Sequence, residues 1–333
     1  MSWLTGRPAR VVVTGGAGFI GTHTVERLLA DGDAVLVIDD MRHASYRPLS
    51  GSVDLSTLDV ASAEARDVIA RFRPDAIVHL AAQAGVNRSW REPVADARNN
   101  VLGLVSILQA AADTGCRRVV FASSGGALYG DADRLPTPED QVQRPRSPYG
   151  CAKAAGEVYL FSFAHACGFS PIALRYGNVY GPGQDGTGEA GVVAISSQKL
   201  VRGQPPSIRG DGQQTRDFVF VTDVAEANRI AVRSDGSGSF NIGTGREASV
   251  NEVVGRLREA AGFAAPTTTE PAPPGEVRRS CLDASRAHDV LGWSAGTDLA
   301  GGLATTFESF AGAVPPTHTR QVGPPTVTAE MRR

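Results

Sequence analysis

The sequence predicts an α/β fold, a doubly wound parallel sheet followed by a smaller C-terminal lobe. Two observations carry this prediction. Short, continuous apolar runs recur along the first half of the chain, and continuous rather than alternating runs are typical of strands buried on both faces. Helical patterns separate the runs, and that order of elements indicates parallel strands. The runs lie at residues 11–14, 34–38, 76–80, 118–122 and 171–174.

The first predicted helix lies between the first two runs. Its apolar stripe begins at Ile20 and ends at Leu29, and Gly32 stands where a helix would end. Strand, helix and second strand together span about thirty residues, which is the length of a βαβ crossover.

Beyond Tyr180 the chain becomes rich in glycine and proline, as connecting loops of a second lobe would be. We expect residues 1–178 to form the sheet domain, with residues 219–250 returning to it. Residues 179–218 and 251–314 are expected to form the smaller lobe. The remaining residues, 315–333, have several prolines and little apolar content, which predicts a disordered tail.

Composition excludes several classes of function. The 333 residues carry 33 Lys+Arg against 35 Asp+Glu, a formal net charge of −2, so general attraction to nucleic acid or to a membrane surface is not expected. No apolar run approaches the roughly 18 residues of a membrane span, and no signal-peptide pattern is evident, so a cytoplasmic location is expected. The four cysteines have neither CxxC pairing nor metal-ligand spacing, which predicts reduced thiols and no metal site.

A glycine-rich turn at residues 14–21 connects the first strand to the first helix. We expect Gly15, Gly18 and Gly21 to hold a pyrophosphate, because the turn is tight and backbone must approach the phosphates closely. The N-terminus of the helix would face the phosphate charge. This pattern, in this context, predicts a dinucleotide site.

Two carboxylates, Asp39 and Asp40, end the second strand about twenty residues after the turn. A carboxylate at this position accepts hydrogen bonds from ribose hydroxyls and repels a 2′-phosphate. Asp39 therefore favours NAD over NADP, whereas Arg42 is close enough in sequence to weaken that discrimination.

Tyr149 and Lys153 lie at the start of another predicted helix, with Ser147 as its N-cap and Pro148 in its first turn. Positions four apart share a helix face. Because an ammonium favours a nearby phenolate, we expect Lys153 to lower the pKa of Tyr149 from about 10 toward working pH. Tyr149 would then act as a general base on a substrate hydroxyl.

Two serines, Ser123 and Ser124, end the apolar run at 118–122 and should lie at the carboxyl edge of the sheet, where such folds bind ligands. A serine there would hydrogen-bond the reacting oxygen and relay its proton. Ser124 is the preferred candidate and Ser123 its competitor.

With these motifs the sequence resembles the NAD-dependent sugar-nucleotide epimerase/dehydratase group of the extended short-chain dehydrogenase/reductase family, most closely the UDP-glucose 4-epimerases. The resemblance runs from about residue 10 to residue 293. Beyond the glycine turn and the Tyr149–Lys153 pair, it rests on residues 79–82, Asn100, residues 174–182 and residues 215–219.

The resemblance implies a Rossmann-like domain that holds NAD and a lobe that holds a nucleotide diphosphate-sugar. The implied cofactor-binding residues are Gly15, Gly18, Phe19, Ile20, Gly21, Asp39, Asp40, Met41, Asp59, Val60, Leu80, Ala81, Ala82, Gln83, Asn100, Ser123, Tyr149, Lys153 and Tyr176. The implied substrate-binding residues are Ser124, Asn178, Val192, Val193, Arg209, Arg216 and Arg278. Arg278 is included because Pro273 stands where the family commonly has an arginine for the diphosphate. His79 is expected to be structural.

The resemblance further implies transient oxidation of the sugar at C4. Related 4,6-dehydratases carry Asp-Glu directly after their catalytic Thr, and related glucuronate decarboxylases a Glu in that loop, whereas this chain has Gly125 and Gly126. Elimination of water then lacks its acid and base, and return of hydride to the opposite face of the 4-keto sugar remains. We therefore expect an NAD-dependent nucleotide-sugar 4-epimerase of the UDP-glucose/UDP-galactose type.

Two alternatives stay open at this point. One is a UDP-glucuronate 4-epimerase or decarboxylase, with Arg88, Arg175 and Arg209 as candidates to receive the carboxylate. The other is a non-catalytic NAD-binding regulator, which would be expected to have lost Tyr149 or Lys153.

The resemblance also implies a homodimer formed through two helices per subunit, here residues 101–114 and the helix after Tyr149. The apolar spacing of Leu104, Ile107, Leu108 and Ala111 indicates a packed face. It leaves open whether that face meets the protein's own core or a partner subunit.

Overall fold

A computed structural model describes most of the chain, namely residues 7–44, 49, 53–187, 191–272 and 277–313. The predicted tail at residues 315–333 and the proline-rich segment at 273–276 lie outside the described residues.

Strands and helices alternate through the first two thirds of the chain. The strands are β1 (Arg10–Thr14), β2 (Ala34–Asp39), β3 (Asp54–Thr57), β4 (Ala76–His79), β5 (Arg118–Ser124), β6 (Ser170–Tyr176), β7 (Asn178–Tyr180), β8 (Ser207–Arg209), β9 (Thr215–Arg216), β10 (Phe218–Phe220), β11 (Gly238–Ile242), β12 (Ala248–Ser249) and β13 (Thr268–Glu270). The α-helices are α1 (Phe19–Ala30), α2 (Ala63–Phe72), α3 (Val86–Arg91), α4 (Pro93–Ala97), α5 (Gly103–Thr114), α6 (Gly125–Leu128), α7 (Pro148–Cys167), α8 (Val192–Val201), α9 (Val221–Arg233), α10 (Val250–Ala260) and α11 (Leu299–Ala313). Two π-helical segments span Arg98–Leu102 and Ala287–Leu291.

The central sheet has seven strands in the order β11-β6-β5-β4-β1-β2-β3. Every neighbouring pair is parallel. The strand order reverses between β1 and β4, and in open α/β sheets the ligand crevice lies at that reversal, outside the carboxyl ends of the strands. The predicted Rossmann-like, doubly wound parallel sheet is confirmed.

Side chains of a central strand explain why the apolar runs are continuous. Val11 and Val13 pack into the core on one face of the sheet, and Val12 packs into the core on the other. Because successive strand side chains point to opposite faces, a strand covered by helices on both faces needs an apolar residue at every position.

A second core lies outside the central sheet. Helices α8, α10 and α11 pack around it with Tyr180 and Phe218, which belong to the short parallel pair β7 and β10. Strand β8 pairs with β13, and β9 pairs with β12 in the antiparallel sense. Strand β11 returns to the central sheet beside β6. The exact domain boundaries stay a prediction.

No helix within the described ranges is both long enough and apolar enough to cross a membrane.

A buried ion pair ties the elements that end at the ligand crevice. Arg175 of β6 donates to both carboxylate oxygens of Glu157 in α7, at 2.9 and 2.6 Å. Ser123 of β5 donates to the same carboxylate at 2.6 Å. Since both charged side chains are almost fully buried, each depends on the other for compensation of its charge.

Replacing Arg175 therefore tests how much this pair contributes. Arg175→Met should lower the free energy of unfolding by about 3–5 kcal/mol, because it leaves the carboxylate of Glu157 buried without its counter-charge. Urea unfolding measures the change. The matched control is Asp140→Asn, which breaks the equally short 2.6 Å pair between Arg134 and Asp140 on the surface and should leave stability unchanged. Equal effects of the two substitutions would contradict this account.

Candidate active site

The glycine turn after β1 forms an open cradle at the N-terminus of α1. Gly15 has a φ of +68°, and a Cβ there would lie 2.6 Å from the backbone nitrogen of Ala81. A Cβ on Gly21 would collide with the carbonyl oxygen of Gly15. Gly18 is the N-cap of α1 and makes no side-chain cap bond, and Phe19 and Ile20 form the first turn. A cradle that a single Cβ would fill, at a helix N-terminus, fits a dinucleotide pyrophosphate.

Asp39 fixes the far side of this cradle from the end of β2. Its carboxylate accepts from the backbone N–H of Ala17 at 3.0 Å and of Met41 at 2.8 Å. Asp40 instead pairs with Arg42 at 2.6 Å. The guanidinium of Arg42, which was expected to weaken the discrimination against NADP, is thus engaged by a carboxylate, and this supports the preference for NAD.

Two of the implied cofactor-binding residues, Asp59 and Val60, which the resemblance places at the adenine, lie just after β3. Asp59 accepts from the backbone N–H of Ala61 at 2.9 Å. Val60 is half-buried and lies close to Gly103 at the start of α5.

Asn100 clamps the segment that follows β4. Its side-chain oxygen accepts from the backbone N–H of Gln83 at 2.7 Å, and its amide nitrogen donates to the Gln83 carbonyl at 3.1 Å. Leu80, Ala81 and Ala82 precede this clamp and lie half-buried beside the glycine turn. At its other end the backbone N–H of Leu80 donates to the carbonyl oxygen of Thr14 at 3.0 Å. Residues 80–83, called the cofactor segment below because the resemblance implies them as cofactor contacts, are therefore fixed at both ends.

Lys153 is buried one helical turn after Tyr149, and its Nζ donates to the carbonyl oxygen of Ala122 at 2.7 Å. Burial lowers the pKa of Lys153 to about 8, opposed by the negative charge of Asp96. Nearby His79 is also buried, bonded to Thr14 Oγ1 at 2.8 Å, and its pKa is lowered to about 3 by burial and then by the charge of Lys153. His79 is therefore neutral, as a structural histidine would be.

The predicted direction of the Tyr149 pKa is wrong. Burial, with the charge of Asp96 as the second cause, raises the pKa of Tyr149 to about 12, although a hydrogen bond with Ser124 lowers it. The sequence identifies a neighbouring ammonium, but it does not show that the phenol is buried enough for desolvation to dominate.

Only one of the two candidate serines has its hydroxyl at the phenol. Ser124 hydrogen-bonds Tyr149, whereas the hydroxyl of Ser123 is buried and donates to Glu157. Tyr176, paired opposite Ser124 in the sheet, is also buried, and its hydroxyl donates to Asn228 at 2.7 Å. The structure thus favours Ser124 as the proton relay, and it commits the side chains of Ser123 and Tyr176 to the interior.

Asp217, which the sequence analysis did not single out, organises the substrate side. It is fully buried, and its carboxylate accepts from Thr244, Gly245 and Leu282. Its carbonyl oxygen accepts from the backbone N–H of Asn178 at 2.7 Å. One residue therefore fixes Asn178 and the neighbouring loop in place.

The other implied substrate residues are spread over the second lobe. Val192 is half-buried, whereas Val193 points into the core of that lobe. Arg209 pairs with Glu270 at 3.3 Å, and Arg278 is held bidentately by Asp211 at 2.8 and 2.9 Å. Arg216 donates to the carbonyl oxygen of Thr215 at 2.8 Å.

The first position of the loop after Ser124 is Gly125, and the end of the Leu282 side chain occupies the space beside it. A Cβ on Gly125 would lie 2.6 Å from Leu282, a buried residue. At Gly126 the nearest atom to a Cβ would be Asn178 Oδ1, at 3.5 Å. The floor of the site is thus formed by backbone, with no acid or base. Within the described part of the chain, no group of three His, Cys, Asp or Glu side chains could hold a metal ion.

Comparisons with known proteins agree with this geometry. The model of the NAD dependent epimerase/dehydratase family matches residues 11–243. UDP-glucose 4-epimerase of Mycolicibacterium smegmatis is 44% identical over 309 residues, covering 90% of this chain and 98% of the relative. The structure of UDP-glucose 4-epimerase from Thermotoga maritima with UDP-glucose is 40% identical, with a TM-score of 0.87, covering 90% and 98% of the two chains. MoeE5 in complex with UDP-glucuronic acid and NAD is 38% identical, with a TM-score of 0.83, covering 91% and 99%.

The cradle predicts the effect of one added methyl group. Gly21→Ala should abolish retention of NAD, because its Cβ collides with the carbonyl oxygen of Gly15 and the turn must shift. Absorbance of nucleotide released from the denatured protein, or calorimetric titration with NAD, measures the loss. Gly255→Ala is the control: it lies within α10 with no atom close to its Cβ, so it should retain NAD and gain up to about 1 kcal/mol of stability. Full retention of NAD by Gly21→Ala would show that the turn is not the phosphate site.

Proposed function

The chain belongs to the NAD dependent epimerase/dehydratase family, and we propose that it interconverts UDP-glucose and UDP-galactose by inverting C4 of the hexose. The observation that carries the proposal is the grouping of Ser124, Tyr149 and Lys153 at a sheet edge whose floor, Gly125 and Gly126, lacks acid and base. The cofactor is NAD, held in the cradle at Gly15 and by Asp39.

Each residue of this group has a distinct role in the reaction. NAD, which the glycine turn and Asp39 would hold, would supply hydride-transfer chemistry at C4 of the sugar and a positive charge near the phenol. Tyr149 removes the proton from the C4 hydroxyl and gives it back after the sugar has turned over. Ser124 donates a hydrogen bond to the same oxygen, and the ammonium of Lys153 favours the phenolate of Tyr149.

Inversion requires the sugar to present both faces, so the nucleotide must be held while the hexose turns. Side chains on the substrate side, Asn178 and the arginines Arg216 and Arg278, are suited to the diphosphate. Val192 and Arg209 are suited to the nucleoside, whereas Val193, which the resemblance implied as a contact, is buried in the core of the lobe. The small residues Gly125 and Gly126 leave space for the ring. Water elimination would need a carboxylic acid where Leu282 closes the space beside Gly125.

A second candidate is UDP-glucuronate as substrate, since MoeE5 is a structural neighbour in complex with that nucleotide. The three arginines considered for its carboxylate are all engaged: Arg175 with Glu157, Arg88 with Glu92 at 3.1 Å, and Arg209 with Glu270. Arg175 is moreover buried, so its nomination as a carboxylate receptor is wrong. Burial of Arg175 against Glu157 removes one of the three candidates for the carboxylate, and this favours a neutral hexose. The intact Tyr149–Lys153 pair argues against a non-catalytic regulator.

The direct test offers the purified protein UDP-glucose, UDP-galactose and UDP-glucuronate separately. Nuclear magnetic resonance of the products should show the same UDP-glucose/UDP-galactose mixture from either hexose. A 4-keto-6-deoxy product, released CO₂, or faster conversion of UDP-glucuronate would contradict the proposal.

We propose a cytoplasmic location as well. All four cysteines are free thiols, and Cys151 and Cys167 are exposed, which suits a reducing compartment.

A homodimer is proposed on the exposed apolar side chains of the helices that pack beside α7. Trp90 and Val94 are exposed on α3 and α4, Leu102 on the π-helical segment, and Val158 on α7 itself. The face considered earlier, Leu104 to Ala111, is instead buried in the protein's own core. An exposed apolar patch of this kind is typical of an association surface.

Tyr149→Phe should lower kcat by about 10²-fold or more, because it removes the hydroxyl that carries the proton. Retention of NAD should be unchanged, since the ring remains. Coupled spectrophotometric assays measure the rate. Tyr159→Phe, on the exposed side of the same helix, is the control and should keep full activity. An active Tyr149→Phe enzyme would remove the assigned base.

Val158→Asp should convert the dimer to a monomer, because it places a charge in the apolar patch, where Val158 is 69% exposed in the single chain. Light scattering of the eluted protein measures the mass. Val290→Asp, at a position 51% exposed elsewhere on the molecule, should leave the mass unchanged. A dimer that survives Val158→Asp would place the interface on another surface.

A further inference from the structure

Asp96 is a buried carboxylate beside the candidate active site that has no role so far. It lies in α4, is 0% exposed, and accepts from the Asn100 amide nitrogen at 3.0 Å through Oδ1. Its second oxygen, Oδ2, is buried without a hydrogen-bond partner among the described residues. An ionised oxygen without a partner is costly in the interior unless a positive charge lies nearby.

Lys153 is the positive charge available. Within the described part of the chain its Nζ has one hydrogen bond, to the neutral carbonyl of Ala122, and no ion pair. A buried ammonium with so little compensation also needs an opposite charge. Helix α4, which carries Asp96, packs against α7, which carries Tyr149 and Lys153. The charge of Asp96 raises the pKa of both groups.

We propose that Asp96 is a positioning residue of the reaction: Oδ1 holds the Asn100 clamp on the cofactor segment, and Oδ2 supplies the negative charge that balances the Lys153 ammonium. The inference deepens the proposed function and rests on it for the roles of Tyr149 and Lys153. The clamp and the charge balance are both required, because Asn100 fixes Gln83 and an uncharged Lys153 would no longer favour the phenolate.

The groups facing this pair determine the sign of the expected change. Lys153 is faced by Asp96 from α4, His79 from β4 and Tyr149 from α7, and His79 is neutral. Tyr149 is faced by Asp96, Ser124 and the buried Tyr176. Asp96 is thus the negative charge of the set. Burial raises the pKa of Asp96, opposed by the hydrogen bond from Asn100 and then by the charge of Lys153, so its ionised form depends on that ammonium. Without the charge of Asp96 the ammonium of Lys153 is less stabilised, so the pKa of Lys153 falls. The phenolate of Tyr149 is also less repelled, so the pKa of Tyr149 falls as well.

The composition makes the lysine directly observable, since the chain contains only two lysines, Lys153 and Lys199. Full-length protein labelled with carbon-13 lysine gives two side-chain signals, and Lys199→Arg assigns them. In Asp96→Asn the Lys153 signal should titrate about one pH unit lower than in the wild type. Asparagine retains the oxygen that accepts from Asn100, so NAD should still be retained.

Two further variants distinguish the effect of the Asp96 charge from the effect of its hydrogen bond with Asn100. Asp96→Leu should shift the Lys153 titration similarly and also weaken NAD retention, because it removes the acceptor for Asn100. Glu92→Gln removes an exposed carboxylate at the start of α4 and should change neither the Lys153 titration nor the retention of NAD. If Asp96→Leu fails to fold, Asp96→Asn still tests whether the charge of Asp96 raises the pKa of Lys153.

Turnover gives an independent readout. Both limbs of the kcat/KM profile should move to lower pH in Asp96→Asn, because the pKa values of Lys153 and Tyr149 both fall, whereas a merely structural loss would lower the rate without moving the limbs. An unshifted Lys153 titration, or an equal shift in Glu92→Gln, would overturn the inference. The lysine titration needs no sugar substrate, so failure of the wild type to epimerise UDP-hexoses would count against the proposed function alone.

Discussion

The hydrogen bond from Lys153 Nζ to the carbonyl oxygen of Ala122 holds the reacting groups together. It joins α7 to the carboxyl end of β5 inside the protein, where a charged donor bonds more strongly than in water. Tyr149 lies one helical turn earlier on the same face of α7. Ser124 lies two positions beyond Ala122 on the same face of the strand. The phenol, the hydroxyl and the ammonium are therefore placed relative to one another by one contact between a helix and a strand.

Two other buried carboxylates frame this contact. Behind it, Glu157 binds Arg175 and Ser123 and joins α7 to β5 and β6. On the substrate side, Asp217 accepts four hydrogen bonds from two loops. Both are satisfied by partners within the protein, so neither is free for acid–base chemistry. The arrangement combines a rigid frame with a floor of glycine backbone, and this combination suits a reaction in which the sugar turns while its nucleotide stays fixed.

The fold and the cofactor cradle were predictable because their signals are local. Continuous apolar runs indicate buried parallel strands, and the glycines of the turn precede a helix directly. The spacing of Tyr149 and Lys153 is likewise a property of one helix.

Features that depend on tertiary contacts were not predictable in the same way. Asp217 acts through Leu282, which is 65 residues away, and Arg175 meets Glu157 across two elements. The pKa of Tyr149 was predicted in the wrong direction because desolvation depends on the packed interior. Asp96 had a local signal that was missed: it precedes Asn100 by four positions on one helical face.

The proposed reaction moves hydride from C4 and back to C4 of the same sugar, and an isotope at that carbon follows the transfer. UDP-glucose carrying deuterium at C4 is incubated with the protein in ordinary water, and the UDP-galactose formed is examined by mass spectrometry and deuterium resonance. Deuterium should be retained at C4 of the product. Hydrogen from the solvent at that carbon would contradict this transfer.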